Sequence, residues 1–191
     1  VGTAFIVAGV IVAVVLLAFL AIYNRFVRLR NMVGESWRDI DTELQRRHDL
    51  IPNIVESVKG YAAHEREVFD SVTSLRINAM AAARTADTQG PIEQALSKQV
   101  GQLLAVAERY PDLKASENFL ALQRQLAETE DRIQVSRRIY NANVRAYDSL
   151  VQTFPSLIIA RLFGFDAAPY FEMEPAVREA GPPSVDLSPS G

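Results

Sequence analysis

RRHDLIPNIVES, residues 46–57, lies in a run whose apolar residues recur at helical spacing, yet it carries a proline near its centre. If Pro52 ends the helix, the run is two short pieces; if the helix continues, a long rod is available to organise the rest. Proline has no backbone N–H, so within a helix the carbonyl of His48 loses its partner and the ring crowds that turn, at a cost of about 3 kcal/mol unless offset. Arg46, Asp49, Asn53 and Glu56 stand three or four residues apart. They share one face and can reach the freed carbonyl, one another or a neighbouring helix. On the other side the apolar seam continues through Trp37, Ile40, Leu44, Ile51, Ile54, Val58 and Tyr61, with Arg47 in a slot where an apolar residue is due. Pro52 therefore reads as a kink inside a helix rather than its end.

The same three-and-four spacing extends outward. Val68, Val72, Leu75 and Ala79, flanked by Phe69 and Met80, form a second seam; Ile92, Leu96, Leu103 and Val106 form a third; Phe119, Leu122, Leu126, Ile133, Tyr140, Val144, Tyr147 and Val151 form the longest. No strand-like alternation persists, so the body is all-α. Breaks fall at ARTADTQGP, where Pro91 suits a first helical turn, and at ERYPDLKASE, where Ser116 is a plausible N-cap. The break near Gly60 is weaker, because the seam stays in phase across it, and one helix from 33 to 84 is an alternative. Helices near 33–60, 65–84, 91–109 and 115–152 would span roughly 42, 30, 28 and 57 Å, lengths that favour an elongated antiparallel bundle of about four helices over a two-layer hairpin.

If the first and last of these run antiparallel, a second polar row of Glu130, Arg137 and Asn141, with Arg138 and Asn143 beside it, could meet the proline row in a partly buried network that sets register. Two solvated faces that never touch are the alternative. An Asp49–Arg137 contact is the specific form such a network would take.

Before the bundle, residues 1–24 contain no charged side chain, and Thr3 to Tyr23 are enough to cross a hydrocarbon core of about 30 Å as a helix. A cleaved signal peptide would want a basic start, a shorter apolar core and a small-residue cleavage site, and none is clear. Arg25, Arg28 and Arg30 follow at once. The positive-inside bias then sets the N-terminus outside and the body in the cytoplasm, at the bacterial inner membrane. The expected divisions are an anchor at 1–24, a bundle at 25–165 and a tail at 166–191.

Pro155 ends the long helix, and Ile158, Ile159, Leu162 and Phe163 make a short apolar helix closed by Gly164. With Arg161 as its sole basic residue, it reads as a plug over the bundle core in preference to an interfacial membrane contact. The tail holds five acids against Arg178 alone, along with Pro169, Pro175, Pro182, Pro183 and Pro189. It should be disordered or loosely docked, with PYFEMEP the segment able to dock.

Composition narrows the chemistry. The chain has no Cys, which excludes disulfides and thiolate sites. Its net charge is -3 and no basic cluster outweighs neighbouring acids, so nucleic acid is not an expected partner. His48 and His64 are the two histidines; the residues three before them, Gln45 and Tyr61, break a Glu-x-x-His pattern, and Val68 breaks H-E-x-x-H. Both read as surface or capping residues. No phosphate loop, nucleophile elbow or paired carboxylates appear, and no cofactor, metal or small-molecule substrate is implied.

YNRFVRLRN, RRHDLIPNIVESVKGYAAHE, LLAVAERYPDLKASENFLALQ, TEDRIQVSRRIYNANVRAYDS and FPSLIIARLFGFDAAPYFE, in this order over residues 23–172, resemble the LemA family of bacterial membrane proteins. The resemblance implies a single N-terminal transmembrane helix and a cytoplasmic antiparallel helical bundle. It carries over no catalytic residue; a gene-neighbourhood association of family members with membrane metallopeptidases points to an envelope role. The expected function is a membrane-tethered, non-enzymatic scaffold or adaptor whose partners are membrane lipid and either copies of itself or another membrane protein. A regulatory accessory subunit, such as one of a membrane metallopeptidase, is the alternative, with a metal-dependent enzyme using His48 or His64 a remote third. The residues singled out for interaction or structure are Arg46, Arg47, Asp49, Pro52, Asn53, Glu56, Arg137 and Asn141; Arg25, Arg28 and Arg30 set topology.

Overall fold

The computed structural model describes residues 2–172. All regular structure among them is helical: α1 (Gly2–Lys59), α2 (Arg66–Ala81), α3 (Ala86–Ala107), α4 (Pro111–Lys114), α5 (Glu117–Gln152) and α6 (Ser156–Phe163). α1 is one helix of 58 residues, about 87 Å long, and it runs through Pro52 without a break. The first 17 of those residues, 2–18, are exposed on every side, and α1 is long and apolar enough near its N-terminus to cross a membrane. The later part of α1 buries Ile40, Leu44, Ile51, Ile54, Val55 and Val58.

The chain does reverse after Lys59, so the continuous 33–84 helix is not formed. Tyr61, in phase with the seam, is instead 49% exposed in the turn that follows. α3 begins at Ala86, five residues before the expected start, and so contains Pro91. Gln89, the residue behind this extension, is buried, and its side-chain nitrogen donates to the carbonyl of Ala79 at 3.1 Å, tying the first turns of α3 to the end of α2. Ser116 stands at the N-cap position of α5 with an extended backbone, but its hydroxyl makes no cap hydrogen bond.

α1 and α5 form the long antiparallel pair, and α2 and α3 form a shorter hairpin packed against them. Because α2 and α3 are only 16 and 22 residues long, they cannot line the whole pair. The core is accordingly built as three successive clusters. At the distal end, Ile51, Ile54 and Val58 of α1 meet Phe69 and Val72 of α2, Leu96, Val100 and Leu103 of α3, Leu113 of α4 and Phe119 of α5. In the middle, where α2 and α3 run out, Ile40 and Leu44 meet Ile133, Tyr140 and Val144, and the open side is closed by Phe171. Nearest the exposed part of α1, Phe26 and Tyr147 pack with Ile159 and Ala160 of α6 and with Phe165.

Phe171 reaches the middle cluster because Gly164 turns the chain. Its φ of 68° is left-handed, and the N–H of Phe165 then bonds the Ala160 carbonyl at 2.9 Å, which closes α6 and sends the chain back along the bundle. Residues 166–172 lie along α5 as a strap. The N–H of Ala168 donates to Asp148 at 3.0 Å, the Tyr140 hydroxyl donates to the Pro169 carbonyl at 2.7 Å, and Asn141 both accepts from the Phe171 N–H (3.0 Å) and donates to its carbonyl (3.2 Å). Phe171 has no exposed surface, and its ring lies 5.5 Å from that of Trp37. The docking considered for PYFEMEP is thus made by PYFE; the rest of the tail, 173–191, lies outside the described residues.

Candidate functional site

The feature of the fold that packing alone does not explain is a charged cluster in its interior, centred on Arg47. Its slot in the seam of α1 faces inward, and its side chain is wholly buried. The guanidinium pairs with Glu93 of α3, also wholly buried, and with Glu130 of α5 at 2.9 Å; it donates as well to the hydroxyl of Ser97. One cation on α1 therefore holds two carboxylates on two other helices. An isolated buried charge would be prohibitively costly, and the two carboxylates and the hydroxyl are what make Arg47 tolerable there.

His48, next in sequence, is 5% exposed rather than on the surface as its spacing led us to expect. Its Nε2 lies 2.9 Å from the other oxygen of Glu93. Burial, with the positive charges of Arg47 and Arg76 beside it, pushes the imidazole down to about 4. The ring is then neutral at pH 7, and its N–H donates to Glu93. His64 is exposed in the turn between α1 and α2.

The carbonyl that Pro52 leaves free is capped from another helix. Nε of Arg76, on α2, donates to the His48 carbonyl oxygen at 2.6 Å. None of the residues of the proline row does this. Arg46 bonds Glu43, Asp49 accepts from Gln45 at 3.0 Å, the Asn53 carbonyl accepts from Ser57, and Glu56 pairs with Lys59 at 3.3 Å; all four residues are exposed. The row is a solvated face with contacts inside α1.

The two long helices do meet through polar groups, in a register set by Arg47–Glu130, Trp37–Tyr140 and Ser36–Asn143, the last a hydrogen bond of 3.2 Å. That register puts Asp49 about 12 Å along the axis from Arg137, so the contact proposed between them is not formed. Asn141 holds the strap, and Asn143 joins α5 to Ser36 of α1. Arg25, Arg28 and Arg30 are exposed at the end of the apolar run.

Glu93, Ser97 and Arg76 escaped the sequence reading. A signal for Glu93 was present: it lies in phase with Leu96, Val100 and Leu103, so it is a charge in an apolar slot, as Arg47 is, and of opposite sign. Two such misfits on different helices are an ion pair in waiting. Arg76 left no comparable mark.

The charged ends of the cluster are paired with one another, while Nε of Arg47 is buried without a hydrogen-bond partner among the described residues. The nearest cavity, lined by Leu44, His48, Ala79 and Gln89 among others, is about 10 Å³, too small for anything larger than a water molecule. Among the described residues no group of three or more His, Asp or Glu side chains is placed to hold a metal ion. The cluster's chemistry is that of a lock: it satisfies one alignment of α1, α3 and α5, and a slip of any helix would strand a charge.

Comparison with known proteins finds relatives over most of the chain. Magnetosome proteins MamQ 1 and MamQ 2 of Paramagnetospirillum magneticum are each 27% identical over 180 residues, covering 81% of this chain and 66% of their own length. Protein LemA of Metamycoplasma hominis is 28% identical over 142 residues, covering 72% of this chain and 63% of its own. The chain thus spans just under two thirds of the length of these curated relatives. The family model described as the LemA family matches residues 36–187, which takes in all of the charged cluster and the strap, and the chain belongs to that family of membrane-associated proteins.

Proposed function

We propose that the protein is a membrane-tethered, non-enzymatic helical scaffold or adaptor, with its N-terminus outside and its bundle on the cytoplasmic face of the bacterial inner membrane. The observation that carries this reading is the continuity of α1. One helix is both the apolar run and the central rod of the bundle, so the bundle leaves the membrane without a flexible linker and at a fixed orientation. The charged cluster supports it further, since Arg47, His48, Glu93 and Glu130 are paired with one another. Arg25, Arg28 and Arg30 after the apolar run support the orientation.

A tethered surface needs partners, and α5 offers one exposed apolar step, Val135 and Ile139, 46% and 52% exposed and one turn apart. Tethering raises local concentration, so even a modest contact would hold copies of the chain, or the chain and another membrane protein, together.

The test is photo-crosslinking in native membranes with a photoreactive residue at Ile139. An adduct of twice the protein's mass supports a self-assembling scaffold, and one discrete heterologous adduct supports an adaptor; a membrane peptidase in that adduct would favour the accessory-subunit role. No adduct from Ile139 or from a general amine crosslinker would overturn the reading. Digestion of the bundle by protease added outside intact cells would overturn the orientation.

A further inference from the structure

We propose that α6 is a lipid-contacting helix, seated in the bilayer boundary beside the point where α1 emerges. This rests on the reading of the apolar run of α1 as a membrane span.

α6 is apolar on both sides. Ser156, Ile159 and Ala160 are buried and plug the bundle against Phe26, Tyr147 and Phe165. On the outside, Ile158 and Leu162, one turn apart, are 58% and 71% exposed, with Phe163 at 47% and Phe154, in the turn before the helix, at 76%. A helix that served only as a plug would turn polar side chains outward, as a surface helix of a soluble bundle does.

Its height along α1 says what covers that face. The ring of Phe163 packs on Phe19 at 5.8 Å and on Tyr23 at 5.1 Å. Both belong to the uncharged run that ends before Arg25. Phe19 lies four residues inside Tyr23, so a side chain against it sits about 6 Å below the apolar edge when α1 crosses the bilayer. Just beyond Phe19, residues 2–18 of α1 are exposed on every side, and lipid covers them on the same reading. Arg25, Arg28 and Arg161 are exposed at this level, with aliphatic stems long enough to bring their heads to the phosphates.

α6 has one basic residue, too few to hold a free helix on a membrane. It does not have to bind alone. α1 fixes it at the surface, and its apolar face needs only to be better placed in acyl chain than in water.

The chain has no cysteine, so single-cysteine variants carry one label each. Leu162→Cys, Val12→Cys and Ile77→Cys, labelled with nitrobenzoxadiazole in the full chain, would be reconstituted into phosphatidylcholine/phosphatidylglycerol vesicles. Phosphatidylcholine bearing a nitroxide near the top or the middle of its acyl chain serves as quencher. The expected result is blue-shifted Leu162→Cys fluorescence lost to the shallow nitroxide, Val12→Cys fluorescence lost to the deep one, and Ile77→Cys fluorescence lost to neither. If Val12→Cys is quenched while Leu162→Cys behaves like Ile77→Cys, α6 is solvated and the proposal is overturned with the span intact. If Val12→Cys is quenched by neither, the span itself fails and takes the proposal with it. A Leu162→Cys blue shift that grows with protein density and resists both nitroxides means a second copy covers the face, which also overturns it.

Discussion

Nε of Arg76 lies 2.6 Å from the carbonyl oxygen of His48, the acceptor that Pro52 deprives of its helical donor. A proline near the end of a 58-residue helix is thereby tolerated through a contact supplied by α2. The side chain is charged and the acceptor partly buried, so the bond is stronger than a neutral surface one.

Arg76→Ala should therefore destabilise the detergent-solubilised protein by about 1–3 kcal/mol, the cost of leaving a buried acceptor unpaired. Restoring the backbone donor with Pro52→Ala should reduce that cost, because residue 52 can then bond the same carbonyl. Denaturant unfolding of the two single variants and the double variant measures the coupling; strictly additive effects would show that Arg76 does not compensate the proline.

The Arg47–Glu93 pair makes a second prediction. Glu93→Ala strands Arg47 with Glu130 alone and should cost about 3–5 kcal/mol. Arg47→Met combined with Glu93→Met should recover most of this, since a buried ion pair can be exchanged for apolar side chains of similar volume at little net cost. Thermal melts followed by circular dichroism would decide it, and a double variant as unstable as the sum of the singles would contradict it.

pH should act through His48. Its folded value, about 4, lies below the ordinary 6.5, so the unfolded chain binds more protons between these limits. The stabilisation from a neutral His48 is complete above about pH 6.5 and is lost as pH falls toward about 4, up to about 3 kcal/mol in all. Stability measured against pH should slope upward through that window, and His48→Gln, whose amide can still donate to Glu93, should flatten the slope. An unchanged slope would assign the pH dependence to other groups.

The strap offers a prediction of sign. Glycine to alanine inside a helix ordinarily stabilises by about 1 kcal/mol. At Gly90 of α3 an added Cβ would stand 2.5 Å from the carbonyl oxygen of Glu172, a backbone atom. Gly90→Ala should instead destabilise the protein or expel the strap, seen as faster amide exchange over residues 166–172. Slowed exchange there, with higher stability, would show that the strap has room to shift.

Much of the fold was legible because it is local. Periodicity gave the helices, an uncharged run gave the candidate span, and Pro155 and Gly164 bounded α6, since each depends on residues within a turn or two of one another. The start of α3 was misplaced because a proline suits a first helical turn, whereas Pro91 lies past that turn in a helix that the contact of Gln89 with Ala79 of α2, ten residues back, accompanies to Ala86.

What the sequence could not rank was its polar side chains. Arg46, Asp49, Asn53 and Glu56 are evenly spaced and stand out, yet they face water, while Arg47 and His48 between them are buried. Which side of α1 is covered, and by what, depends on α2, α3 and α5 arriving from 28 to 83 residues away. The cost of an interior charge is met by partners that no local pattern names. Local pattern is enough to make the chain helical and to mark an apolar run fit for a membrane. That Glu93 and Glu130 close around Arg47, that Arg76 answers for Pro52, and that Phe171 fills the gap left where the short helices end all depend on helices distant in sequence meeting in the fold.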